Sequence, residues 1–214
     1  MRTLSIIAVV LCLLNLSSIS TSAQEIAIAA DKENLFYLGI PNPITIACYK
    51  YPCKDLIVTS DNGTVDRSHD HPCQFEMMAA HVGETTIEVK QKNGKVIGVR
   101  KFRVHKIPGP VAEVGGKNFG DINAPALRVQ IGVIATLKGF DFDARFWVMS
   151  YTIILLKKEA SFVKDNAGAK FTDESKVILS KAQAGDRFVI VNIRAKGPDG
   201  VLRFLTPIEL NVTE

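Results

Sequence analysis

Strong charge of one sign is missing from this sequence. Against 26 Lys and Arg stand 22 Asp and Glu, a formal net charge of +4 over 214 residues. That excess is too small to argue for nucleic acid, and no basic stripe interleaved with aromatics occurs. The short patterns that carry familiar chemistries are missing too: there is no nucleophile elbow, phosphate loop or HExxH. Heptads, low-complexity tracts and convincing internal repeats do not occur. After the first 23 residues no stretch approaches the roughly 18 continuous apolar residues of a membrane span. The expectation is therefore a protein that is not an enzyme, with no catalytic residue, no cofactor and no span in its mature chain.

What is present begins with a leader. Arg2 is the one charge among residues 1–23, Ile6 to Leu14 is apolar, and Thr21-Ser22-Ala23 supplies small residues for cleavage before Gln24. This reads as a secretory signal peptide, its apolar run too short to span a bilayer with its flanks. Cys12 follows Leu11 rather than a small residue, which argues against a lipid anchor. Removing Arg2 lowers the formal charge from +4 to +3 and leaves Cys48, Cys53 and Cys73. In an oxidising compartment three cysteines make one disulfide and one leftover thiol. Cys53 and Cys73 each follow a proline at a strand start (YPC and HPC), which predicts that they pair and leave Cys48 buried or free. With His69 and His71 these cysteines form the one metal-like set. Its spacing lacks the paired short knuckles of zinc sites, so no metal is predicted.

Short strands with regular turns fill the rest. Thr85 to Lys90 alternates with period two, as a half-buried strand does. Asp61-Asn62-Gly63 and Asn93-Gly94 are tight-turn signals, each read as closing a hairpin. In Lys95 to Ile107 the apolar set changes phase, from Ile97 and Val99 to Phe102 and Val104, which predicts a one-residue bulge near Arg100. Some seven strands of this kind point to an immunoglobulin-like sandwich. Pro108-Gly109-Pro110 then removes two ladder donors, so the chain divides into a first β domain at 24–107 and a second at 108–214.

In the second domain, Leu127 to Leu137 reads as strand-like and Phe140 to Leu155 as the strongest strand. One face of the latter is Phe140, Phe142, Ala144, Phe146 and Val148. The other starts with Asp141, Asp143 and Arg145 and turns apolar at Trp147, Met149, Tyr151 and Ile153. Asp141 and Asp143 are read as a solvated strand face, not as a carboxylate pair or calcium site. Thr172 to Ala184 is the one helix candidate, with Thr172 as cap and Gly185 as stop. Its stripe of Val177, Ile178 and Ala182 is narrow, so Trp147 and Tyr151 are expected to stay partly exposed. With Met149 and Ile153 they form a candidate partner-binding stripe, because large aromatics carry much interface energy; the other reading is that the helix packs over all four and makes them an ordinary core.

Four segments together resemble a known family: GIPNPITIAC, KFRVHKIPGPVAEVGG, LKGFDFDARFWVMSYTI and IRAKGPDGVLRFL. They are similar to the C-terminal periplasmic region of the gliding-motility and type IX secretion protein GldM (PorM), over nearly all of the mature chain. The resemblance implies two consecutive β-sandwich domains, the second with one short helix, in an exported, most simply periplasmic, bacterial protein. It implies protein partners from the secretion or gliding machinery, with a homodimer as one arrangement, and contact rather than catalysis. Family members are longer and carry an N-terminal membrane helix, where this sequence has a cleavable signal. The expectation is thus a structural or interaction component of that apparatus that does not itself carry force from the inner membrane. The other reading is a stand-alone sandwich that binds a small ligand, glycan or metal through its Cys/His loop.

Overall fold

A computed structural model describes residues 26–30 and 34–214. The leader lies outside the described residues. The first part of the chain forms β1 (Ile26–Ala30), β2 (Leu35–Tyr37), β3 (Asn42–Cys48), β4 (Leu56–Ser60), β5 (Gly63–Arg67), β6 (Gln74–Ala79), β7 (Gly83–Gln91) and β8 (Val96–His105). They make two four-stranded sheets, ordered β1-β3-β6-β5 and β2-β8-β7-β4. Each sheet turns one apolar face inward: Ile44, Ile46, Phe75 and Met77 from one meet Ile87, Val89, Phe102 and Val104 from the other. This is a β-sandwich.

Asn62-Gly63 does not close a hairpin. β4 pairs with β7 in one sheet and β5 with β6 in the other, so the turn carries the chain between sheets. Asn62 is buried there, its amide donating to the His81 carbonyl and its side-chain oxygen accepting from the His81 N–H. Gly63 has φ +117°, and a Cβ on it would lie 2.0 Å from the Met78 carbonyl oxygen. Those two demands, not hairpin geometry, explain the Asn-Gly pair. Asn93-Gly94, in contrast, does join paired neighbours, β7 and β8. The bulge in β8 falls at Ile97, between the Val89–Gly98 and Lys90–Val96 pairs, and not at Arg100. Val99 consequently stays exposed instead of joining the core.

The Cys53–Cys73 disulfide forms, and Cys48 is the free thiol. Cys53 opens a 3-10 turn leading into β4, and Cys73 stands just before β6, so the bridge ties the two sheets together. Closing a loop of this length contributes about 3 kcal/mol on the chain-entropy estimate. Arg67 seals the same corner. Its guanidinium donates to the carbonyls of Cys53, Leu56 and Pro72 and lies 4.6 Å from the Phe75 ring centre.

The second part forms β9 (Val111–Glu113), β10 (Phe119–Asn123), α1 (Ala124–Arg128), β11 (Ile134–Thr136), β12 (Trp147–Leu156), β13 (Ser161–Ala167), α2 (Asp173–Ser180), β14 (Arg187–Lys196), β15 (Leu202–Phe204) and β16 (Ile208–Thr213). A large sheet runs β10-β16-β14-β12-β13, with β15 also on β14, while β9 and β11 form a separate ribbon. The last strand, β16, lies between β10, which it meets in parallel, and β14, which it meets antiparallel. The helices and the ribbon cover one face of the sheet through Leu127, Ile178, Leu179, Ala112 and Val114. No sheet among the described residues contains strands from both 26–105 and 111–213.

Two sequence expectations change here. Leu127 to Leu137 is not one strand: α1 ends at Arg128, and β11 holds only three residues. The helix starts where it does because the Asn123 side chain accepts from the Ala126 N–H at 2.7 Å, with Pro125 in the first turn. Phe140 to Leu155 is also divided. The strand begins at Trp147, and 140–146 lies outside any strand while keeping the in-and-out alternation of an extended segment. The predicted α2 is observed, shorter at its C-terminal end, with Thr172 accepting from the Ser175 N–H as cap.

Candidate interaction surface

The odd-numbered side chains from Trp147 to Ile153 do not share one face. Trp147 is 56% exposed and Met149 49%, whereas Tyr151 is 2% exposed and Ile153 fully buried. The cause lies in the pairing of β12 with β14. Trp147 opposes Lys196 and Val148 opposes Ala195, but Ser150 opposes Arg194, which leaves Met149 as an extra residue. Between Ser150 and Thr152 the partner strand advances from Arg194 to Val191, so the excess now falls on β14. Asn192 absorbs it with φ +53°, a left-handed conformation that Asn tolerates better than most residues. Because strand side chains alternate with period two, one extra residue moves every later side chain to the other face. Tyr151 therefore points into the core, where its hydroxyl donates to the Ala169 carbonyl, its ring meets Phe171, and burial pushes its phenol well above the usual range. Tyr151 and Ile153 are core residues, not partner-binding ones. Trp147 and Met149 remain on the surface.

Asp141, Asp143 and Arg145 are all exposed, with Arg145 3.6 Å from Asp143 in a solvated ion pair. The alternate residues, Phe140 and Phe142, turn toward the first part of the chain. Their ring centres stand 4.8 and 5.1 Å from that of Tyr37. Ile40, Ile107 and Phe146 are buried in the same cluster. A groove of about 480 Å³ borders it, lined in part by Ile134, Leu137, Phe140, Phe142 and Trp147.

Sequence reading missed the polar half of this joint. The turn after β14 places Asp199 against Gly39, where a Cβ would come within 2.5 Å of the Asp199 Cα. Gly39, at φ +78°, is thus required both for its conformation and for the close approach. Asp199 accepts a two-pronged contact from Arg203, at 2.9 and 2.6 Å. The side chains are 1% and 16% exposed. Arg203 holds the Asp199 carboxyl below its ordinary range, and the carboxylate in turn raises Arg203. The same guanidinium lies 5.0 Å from the Phe146 ring centre and reaches the Ile107 carbonyl at 3.5 Å. The GPDG run signalled the turn, but nothing in it signalled the residues that the turn would touch.

His69 and His71 are exposed, and no group of three or more His, Cys, Asp or Glu side chains converges as a metal site among the described residues. With Cys53 and Cys73 bonded to each other, two of the five potential donors of that loop are already committed. What the second sheet does present is an outward face on which exposed Trp147, Met149, Leu202 and Phe204 surround Arg194 and Lys196.

Fold and surface together define a tandem β-sandwich protein that is held by a disulfide in its first half and offers an aromatic and basic face in its second. Its affiliation follows from the family models. Residues 25–105 match the GldM third domain and residues 108–213 the GldM C-terminal domain, so the chain belongs to the GldM family and carries its C-terminal domains. Comparison with curated proteins gave no match. Among solved structures it is similar to the Yersinia pseudotuberculosis adhesin InvE at 14% identity, with 88% of this chain covered and a TM-score of 0.32. This chain spans 59% of that one. The fibronectin(III)-like modules of Clostridium thermocellum CbhA match at 16% identity, over 87% of this chain and 93% of theirs, with a TM-score of 0.26. Domains 6–7 of the surface-layer protein SbsC match at 11% identity, over 90% of this chain and all of theirs, with a TM-score of 0.32. The family assignment stands on the two domain models.

Proposed function

We propose that this protein is a non-catalytic, exported structural and interaction component of a gliding-motility or type IX secretion apparatus, acting in the periplasm through contacts with other proteins of that machinery. The observation that carries this reading is the succession of GldM third and C-terminal domains across residues 25–213. The disulfide supports an oxidising compartment. We take the two halves, 24–107 and 108–214, as separately folded domains, in keeping with their separate sheets. Trp147 and Met149 are read as the partner anchor, since an exposed tryptophan beside further apolar side chains marks an interaction surface.

Co-purification from periplasm, with the captured proteins identified by mass spectrometry, tests this. Wild-type protein is expected to bring down components of the secretion or gliding machinery. Trp147→Ala should weaken that capture by about 2 kcal/mol, roughly thirtyfold, without altering the fold. Capture of no such component, or equal capture by the variant, overturns the reading of the protein or of the anchor respectively.

A further inference from the structure

We propose that the outward face of the β12–β14–β15 end docks an acidic segment of a partner protein, one in which paired carboxylates are bounded by apolar side chains. The inference rests on reading Trp147 as a partner anchor and adds the chemistry of what it meets. Register fixes the pattern. Trp147, Lys196 and Leu202 lie side by side across three strands, and Ser150, Arg194 and Phe204 form the next row. Arg194 and Lys196 are two residues apart on one strand, about 7 Å, and project from the same face. They make a central column of two cations.

The columns on either side are apolar. Trp147 and Met149 supply one, Leu202 and Phe204 the other, and all four are exposed. Neither cation has a carboxylate partner among the described residues; Arg194 instead lies 5.3 Å from the Phe204 ring centre. Arg187, farther along the same strand, is paired with Glu209, so unpaired cations are not a general property of β14. A purely apolar partner would desolvate two cations without compensation. A simple polyanion would neutralise them and leave four large apolar side chains in water. A segment carrying both carboxylates and apolar groups answers both demands.

Trp147 is the single tryptophan of the chain, so its fluorescence reads this face directly. The probe is a tryptophan-free peptide with glutamate pairs bounded by leucine and phenylalanine, titrated into the mature protein. It should shift Trp147 emission, and added salt should weaken the binding. R194E/K196E should weaken it at least about tenfold, as expected for reversed charge at a contact. If that double variant misfolds, Lys196→Gln is expected to weaken binding by about threefold instead. Three results overturn the inference: no Trp147 response at about 1 mM peptide, unchanged affinity in the charge variants, or tighter binding of inorganic polyphosphate or of the same peptide with glutamine for glutamate. If Trp147→Ala reduces co-purification yet the peptide leaves Trp147 unmoved, the acidic partner falls and the anchor stands. If neither has an effect, both fall.

Discussion

Asp199 shows how much a single side chain can settle. Its carboxylate is enclosed, gripped by Arg203, and set where the two halves of the chain meet. Because Arg203 depresses its pKa in the folded state, the stabilisation is fully present above the ordinary aspartate value of about 4 and is lost as pH falls through the depressed value. Asp199→Asn should therefore flatten the acid side of the stability curve below about pH 4, the ordinary aspartate value. At neutral pH it should cost about 3 kcal/mol, because Arg203 is left enclosed without its counter-charge. Urea midpoints measured from pH 7 downward check both; parallel curves for variant and wild type would contradict the assignment. Local residue chemistry of other kinds was legible in advance. The cysteines paired as their Pro-Cys contexts predicted, and Thr172 capped its helix, since both depend on near neighbours. The Asp199–Arg203 grip lies only four residues apart in sequence, yet its purpose depends on Gly39 and Ile107, which no local pattern announces.

At the scale of elements, the two compensating irregularities in β12 and β14 decide which side chains face water. Period-two reading placed Trp147, Met149, Tyr151 and Ile153 together because an uninterrupted strand would do so. On β12 the cue lay in the face that carries Val148, which turns to Ser150 and Thr152 as Tyr151 and Ile153 take over the core, and strict alternation overrode it. On β14 the signal was present but faint: Asn192 interrupts a run of Val and Ile at the residue that takes the left-handed conformation. Asn192→Val should destabilise the protein by about 1–2 kcal/mol, since a β-branched residue resists that conformation. Asn192→Gly should change stability by no more than about 0.5 kcal/mol. Thermal or urea unfolding distinguishes the pair, and equal losses in both would point to a role for the amide instead. The alternation in 140–146 misled for a related reason. Extended chain alternates whether or not it is hydrogen-bonded into a sheet, and Phe140 and Phe142 alternate toward Tyr37.

The whole molecule is organised around that meeting of halves. Pro108 and Pro110 mark the joint in the sequence, whereas its packing comes from distant segments around 37–40, 140–146 and 199–203. We infer a joint held at a preferred angle, not a free linker. Tyr37→Ala should loosen it, widening the molecule in small-angle scattering and speeding proteolysis at 106–110, while residues 108–214 expressed alone keep their fold. An unchanged scattering profile and cleavage rate would contradict a packed joint.

The position of β16 has a mechanical corollary. Tension entering from the joint reaches β10 at its N-terminal end, whereas tension on the C-terminus pulls β16 from its far end. The two strands are parallel, with five residue pairs from Phe119–Glu209 to Asn123–Thr213. Pulled this way they are sheared lengthwise, so their rungs share the load together instead of parting one at a time. Stretching between the joint and residue 214 should therefore meet a higher rupture force than stretching between residues 157 and 187, where β12 and β14 peel apart from one end. Single-molecule extension along the two axes would show this as a directional stiffness written into strand order.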